Sequence, residues 1–362
     1  MAAGMRRQAI EGLLLPVLSL AGALLLFALF VALGGYDPLE TCRLLFVGAF
    51  GDAFSWQNTL QRAAPLMLTA LTVALPARAG LTVIGGEGAL VLGGLACAGV
   101  PYLFAPPQGW PGTLILLLAA ALSGAAWICL AGALRQYRGV NETISSLLLS
   151  YIAIALFKHF VEGPMRDPAS LNKPSTRPLD DSWLIGGIAG FDVHWGLAWG
   201  VALCLAAALW LGYTTHGFAT RVVGGNVRAG RLVGLPTNRL VITACALGGA
   251  AAGLAGGIEV AAVHTAANAS LIAGLGYAGI LVSFVARHQP LAIIPVAILF
   301  GGFGAAGSLL QRRLGMPDAS VQVLLGFAFV LILASESLRG RLPWPALHWR
   351  AKTARHVQVP AP

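Results

Sequence analysis

The stretch TLILLLAAALSGAAWICLAGAL, Thr113–Leu134, carries no charged residue, and its only hydroxyl side chains are Thr113 and Ser123. A helix rises about 1.5 Å per residue, so this stretch can reach across a hydrocarbon layer of about 30 Å. Inside such a layer no water is available to the backbone, which leaves helices or a closed barrel. A barrel strand alternates apolar and polar residues. The unbroken apolar run Leu114–Leu122 does not alternate, so the stretch reads as a transmembrane helix.

Nine further stretches read the same way: Leu13–Leu33, Leu60–Ala77, Gly88–Phe104, Thr143–Phe160, Trp195–Tyr213, Leu240–Val263, Leu271–Ala286, Leu291–Leu310 and Val321–Ser335. They predict an all-α integral membrane protein with about ten transmembrane helices. Composition agrees. Across 362 residues, 57% are hydrophobic and 10% charged, where a soluble domain carries about 25% charged residues. So little charge could not cover the surface of a water-soluble fold.

The first stretch follows Arg6 and Arg7 in the manner of a secretory leader. It is longer than the apolar core of about 7–15 residues that leaders use, and no convincing cleavage site follows, so it is kept as a span. An even number of spans returns both termini to one side. With the N-terminus inside, the outer segments hold 8 of the 23 basic residues: Arg43, Arg62, Lys158, Arg166, Lys173, Arg177, Arg312 and Arg313. The inner segments hold the other 15, as the positive-inside rule requires, with Arg312 and Arg313 on the unfavoured side. Both termini are thus expected in the cytoplasm. The net charge of +9 is assigned to loops facing anionic membrane lipid rather than to nucleic acid. Residues 1–340 form the expected membrane domain, and 341–362 a basic cytoplasmic tail. Cys42, Cys97, Cys129, Cys204 and Cys245 are scattered with no C-x-x-C, which implies small packing residues and neither disulfides nor a metal site.

Two polar segments are long. Residues 161–194 face outward, carry Pro164, Pro168, Pro174 and Pro178, and could form short structure or a docking surface. Residues 214–239 face inward. There, Asn226 can cap a short helix running to Val233, which Gly234 and Pro236 end. Such a helix would show Arg228 and Arg231 beside the small Ala229 and Gly230. It suits insertion into a groove of a soluble partner; the alternative is an ordinary basic interfacial loop.

The segment GGNVRAGRLVGLP resembles the G-x-N-x-x-A-A-x-x-x-G-I loop of ATP-binding cassette (ABC) permeases for ribose-type sugars and nucleosides. The match covers Gly224 or Gly225, Asn226, Ala229 and Gly234, with Gly230 where the family has a second alanine. RAGLTVIGGEGALVLGG (Arg78–Gly94), GVNETISSLLLSYIA (Gly139–Ala153), GLAGGIEVAAVH (Gly253–His264) and GYAGILVSFVARHQPLAIIPVAILFGGFGAAG (Gly276–Gly307) are similar to further blocks of that family, in order. The likeness is nearest to the nucleoside-type permeases. It implies a coupling helix, with Gly225, Asn226, Arg228, Ala229, Gly230, Arg231 and Gly234 meeting a cytoplasmic ABC ATPase. It also implies a second permease copy or homologue, an external solute-binding protein, and import of a small polar solute, nucleoside or simple sugar, across a bacterial inner membrane. No cofactor is implied. Thr82-Val83, Ala89 and Ser150 depart from the family blocks where polar side chains could meet the solute.

Charged residues inside spans need partners. Glu87, flanked by Gly86 and Gly88, is either part of a shaped segment near the pathway or in a structural ion pair at the inner rim, with Arg78 as the candidate partner. Glu259 could accept hydrogen bonds from the solute, fix a neighbouring helix, or relay protons with His264. Glu142, beside Asn141, could cap its helix or contact a partner. Gly249, Gly253 and Gly257 form a small-residue stripe that lets another helix approach. A faint repeat relates the hairpin turn at Ala77-Arg78 to that at Ala286-Arg287. The chain has no G-x-x-x-x-G-K-[ST] phosphate loop, so any ATP-driven transport needs a separate ATPase subunit. An ion- or proton-coupled secondary transporter using Glu87 or Glu259 is the alternative.

Overall fold

A computed structural model of the chain describes residues 2–338 apart from 172, 189 and 318. The expected tail, 341–362, lies outside the described residues. The described residues are all-α, with thirteen α-helices: α1 Ala2–Leu33, α2 Pro38–Phe50, α3 Ala53–Arg78, α4 Gly86–Leu103, α5 Trp110–Arg138, α6 Glu142–Glu162, α7 Gly196–Tyr213, α8 Thr215–Gly225, α9 Val227–Leu232, α10 Thr237–Ile258, α11 Leu275–Val285, α12 Pro290–Leu314 and α13 Ser320–Leu338. The only extended pairings among them are two isolated bridges, Ser175 with Asn268 and Gly187 with His194.

Helix α3 is the hub. Every residue from Ala63 to Pro76 is buried, and α7, α10, α11 and α12 all pack against it. A helix that is apolar on all sides belongs in an interior. Its few polar side chains are satisfied locally or by neighbours. Thr69 donates to the Pro65 carbonyl at 2.9 Å and to the Leu275 carbonyl at 3.2 Å, and Thr72 donates to the Gly248 carbonyl at 3.0 Å.

Seven helical stretches are long and apolar enough to cross a membrane: Leu14–Leu33, Gly86–Leu103, Trp110–Arg138, Glu142–Glu162, Gly196–Tyr213, Thr237–His264 and Pro290–Leu314. They coincide with seven of the ten expected spans. The spans expected at 271–286 and 321–335 fall on shorter apolar helices. The span at 60–77 falls on α3, which is not among the seven. The stretch at 271–286 is not one helix. A 3-10 turn, Ala269–Leu271, is followed by non-helical Ile272, Ala273 and Gly274 before α11 begins.

Two helices were not anticipated. α2 lies between the first two expected spans, where Glu40 and Arg43 interrupt the apolar pattern. Its start is nevertheless written in the sequence, because Asp37 accepts from the Leu39 amide at 2.8 Å and Pro38 opens the first turn. α8 occupies the first half of the polar segment 214–239, capped by Thr214, which accepts from the Gly217 amide at 3.0 Å.

The glycine stripe on α10 does pack as expected. A Cβ on Gly249 would overlap the Gly124 carbonyl, one on Gly253 the Ala120 carbonyl and one on Gly257 the Ala120 side chain; beside the stripe, one on Gly256 would overlap the Leu90 carbonyl. Backbone therefore lies on backbone where α10 crosses α4 and α5. Overpacking of such a seam costs about 1–3 kcal/mol. Gly256→Ala should lower the unfolding temperature in detergent, whereas Gly225→Ala, which meets open space, should leave it unchanged.

Candidate functional site

α11 is only 11 residues long, about 16 Å, and begins partway along the bundle. The Leu275 carbonyl meets Thr69, nine residues before the Arg78 end of α3, and Gly86 at the start of α4 lies beside Thr72. The amino ends of α4 and α11 thus meet inside the bundle. Gly276 packs so closely on Glu87 that a Cβ there would overlap the Glu87 backbone.

Glu87 joins them. Its side chain is fully buried. One carboxylate oxygen accepts from the Gly274 amide at 2.9 Å, the other from the Gly276 amide at 2.6 Å, and the Tyr277 amide donates as well. These are the free amides of a helix amino terminus, where the macrodipole also favours negative charge. Glu87 is therefore the cap of α11, supplied by another helix. The expected ion pair with Arg78 is not formed. The Arg78 side chain instead donates from Nε to the His288 carbonyl at 2.9 Å and from Nη2 to the Arg287 carbonyl at 3.4 Å. The two turns of the faint repeat thus touch each other.

Gly274 separates Glu87 from a half-open cavity of about 650 Å³. α11 supplies Leu275, Tyr277, Ala278, Ile280 and Leu281, α3 supplies Arg62 and Leu66, α12 supplies Phe300, Gly301 and Gly304, and α13 supplies Gln322 and Phe329. Ile84 and Leu147 complete one side. Its polar side chains are few and spaced apart: Arg62, Tyr277 and Gln322. Gly304 lies beside Arg62, whose Cδ is 3.6 Å from where a Cβ would stand, an ordinary contact distance. The sequence offered one signal for this place, a charged Arg62 in the first turns of an otherwise apolar span.

Ser150 and Glu259 do not line this cavity. Ser150 is fully buried, donates to the Ser146 carbonyl at 3.1 Å, and lies under Gly88 where α4 meets α6. Glu259 opens a π-helical turn, Glu259–His264, that continues α10. Its carboxylate lies 3.6 Å from His264 Nε2, and the charge of Arg62 also acts on it. Residues 176–185 donate to carbonyls of this turn and of the residues just after it. Ile185 donates to Ala261 at 2.9 Å, Leu179 to Thr265 at 2.8 Å and Thr176 to Ala267 at 3.0 Å. Glu142 does not cap α6. Asn141 does, accepting from the Thr143 and Ile144 amides, which frees Glu142 to pair with Arg135 at 3.2 Å.

Residues 226–234 form the short helix their sequence suggests. Asn226 caps α9 by accepting from the Ala229 amide at 3.1 Å, and Gly234 ends it at φ +78°, a left-handed conformation suited to glycine. Gly225, Arg228, Ala229 and Arg231 are exposed. Gly230 is not exposed beside them, contrary to the expected surface. It is buried, with Val223 3.0 Å from its Cβ position, because α9 folds back on α8. Two apolar side chains take its place on the surface, Leu232 at 88% exposure and Val233 at 71%.

A bundle of apolar helices long enough to span, one short helix beside a cavity and a capped basic helix folded against α8 at one end mark a multi-pass membrane protein. The chain belongs to the family described as branched-chain amino acid transport system / permease component, whose model matches residues 55–333. It is 30% identical over 335 residues to the glucose ABC transporter permease protein TsgB13 of Haloferax volcanii, covering 89% of this chain and 87% of that one. It is 27% identical over 340 residues to the guanosine ABC transporter permease protein NupP of Bacillus subtilis, covering 90% and 94%. To the nucleoside ABC transporter permease protein NupB of Lactococcus lactis it is 28% identical over 354 residues, covering 91% and 93%. The chain is a permease component of an ABC transporter, as its sequence led us to expect. Nothing in the family or these relatives supports the ion-coupled alternative.

The Glu87 cap carries a direct test. Glu87→Ala leaves the Gly274 and Gly276 amides without acceptors, at a cost of at least about 2 kcal/mol. Hydrogen exchange at those two amides should accelerate. Unchanged protection there would show that α11 does not depend on this carboxylate.

Proposed function

We propose that the chain imports a nucleoside or simple sugar across a bacterial inner membrane, and that α9 is the helix through which a separate cytoplasmic ABC ATPase drives it. The observation that carries this reading is α9 itself: a capped, six-residue helix with Arg228, Arg231, Leu232 and Val233 all exposed. Exposed apolar side chains beside exposed guanidiniums suit a cleft with an apolar floor and acidic rim better than open water. In this reading the chain crosses the membrane about ten times with both termini in the cytoplasm. It works with a second permease copy or homologue and an external solute-binding protein, lies in membrane lipid, and contains no ATPase site.

The solute passes through the cavity beside α11. Of the two cargo classes, a nucleoside suits the lining better. Tyr277, Phe300 and Phe329 offer flat aromatic faces for a base, and Gln322 and Arg62 offer a few directed hydrogen bonds. A hexose would need partners for many hydroxyls, and this wall has few. Glu87 shapes the pathway through α11, while Ser150 and Glu259 act by holding helices around it.

Two measurements test the reading. Arg228→Glu combined with Arg231→Glu should release the ATPase on copurification and abolish uptake; retained binding and uptake would sink the assignment of α9. Gln322→Leu should raise the KM for nucleoside uptake roughly tenfold, the size of one lost hydrogen bond of about 1.4 kcal/mol, with ATPase association unchanged.

A further inference from the structure

Three elements meet at the Arg78 end of α3. The first is α8, whose Gly224 sits on the turn after α3: a Cβ there would overlap the Arg78 carbonyl, and the Gly224 carbonyl oxygen lies 3.1 Å from the Cβ position of Gly80. Gly224 is two residues before Asn226, the cap of α9. The second is Arg78 itself. The third is the turn between α11 and α12, whose Arg287 and His288 carbonyls receive the Arg78 side chain.

That turn is held in an unusual shape. Arg287 and His288 both have positive φ, 55° and 54°, a region that side-chain-bearing residues occupy only where surroundings impose it. Ser283 Oγ lies 2.9 Å from His288 Nδ1, and the His288 amide donates to the Ser283 carbonyl at 2.8 Å. Burial, and then the Arg78 charge, hold the His288 imidazole down to about 4, so it stays neutral at cellular pH.

Charge attraction does not hold Arg78 in place. The nearby charges of Arg221 and Arg287 oppose its own, and among the described residues no carboxylate pairs with any of the three. The hold comes from the fork of the guanidinium across two successive carbonyls, a geometry that the point charge of lysine cannot reproduce. α11 is thereby gripped at both ends, by Glu87 of α4 at its start and by Arg78 of α3 past its finish, and its side forms the cavity wall.

We propose that Arg78 is a positioning residue that transmits movement of the α8–α9 segment to α11, and so to the solute cavity. This rests on the proposed permease reading. A displacement of α9 carries Gly224 against the α3 turn, Arg78 carries it to the Arg287–His288 turn, and α11 shifts against the cavity.

The test uses the whole transporter, with its ATPase and binding protein, in proteoliposomes, and reads solute moved per ATP hydrolysed. Arg78→Gln should keep ATPase association and hydrolysis while that ratio falls at least tenfold, and Arg78→Lys should not restore it. Arg287→Gly combined with His288→Gly keeps both carbonyls but frees the turn to change shape, and should lower the ratio as well. If Arg78→Gln does not assemble, the glycine pair decides alone. A ratio within twofold of wild type in the assembled variants overturns the role of Arg78 and leaves the permease reading standing. Wild-type vesicles that move no solute with ATP overturn both.

Discussion

A helix that begins inside an apolar layer presents amides that water cannot reach, and these must find acceptors within the protein. α11 begins in this way, and the Glu87 carboxylate meets its first amides. The interaction runs in both directions. A buried carboxylate is itself costly, and the helix terminus is one of the few apolar-layer environments that offers it several donors and a favourable dipole together. The start of α4 and the start of α11 are thus tied to each other, and the side of α11 forms one wall of the cavity.

The same constraint shapes residues 161–194. Where α10 widens into a π-turn and then ends, residues 176–185 cross over to donate to the carbonyls of Ala261, Thr265 and Ala267. A segment that reads as a long polar loop is thus the complement of an irregular helix end. The polar end of α12 is arranged comparably: Arg312 and Arg313 share a cleft of about 380 Å³ with Glu40, Arg43 and Asp52. Carboxylates from α2 and from the residue capping α3 accompany the two arginines that the charge count placed on the unfavoured side.

Much of the fold was legible because apolar length and small-residue spacing act locally. Thr113–Leu134 and the Gly249–Gly253–Gly257 stripe declare themselves without reference to the rest of the chain, and so does Asn226 as a cap. What stayed hidden depends on partners far away in sequence. Glu87 meets residues nearly two hundred positions later, and no local pattern pairs it with Gly274 rather than with nearby Arg78. The break before α11 was hidden for the same reason, since Leu271–Ala286 carries no charged residue and only the glycines near its start, Gly274 and Gly276, hint that a helix begins there. The cavity joins five helices, α3, α6, α11, α12 and α13, and of its polar residues only Arg62 stands out by charge. Gly230 was misplaced because its burial depends on how α9 folds back against Val223.

The burial of α3 bears on how the chain is made. Its first turns carry Gln57, Asn58, Gln61 and Arg62, and it is not among the stretches apolar enough to span on their own. Its apolar part is covered by helices rather than by lipid. At the moment α3 is synthesised, α10, α11 and α12 do not yet exist. The segment at the centre of the finished bundle is therefore a poor independent membrane inserter, and its final seat is built only once the last third of the polypeptide has entered the bilayer.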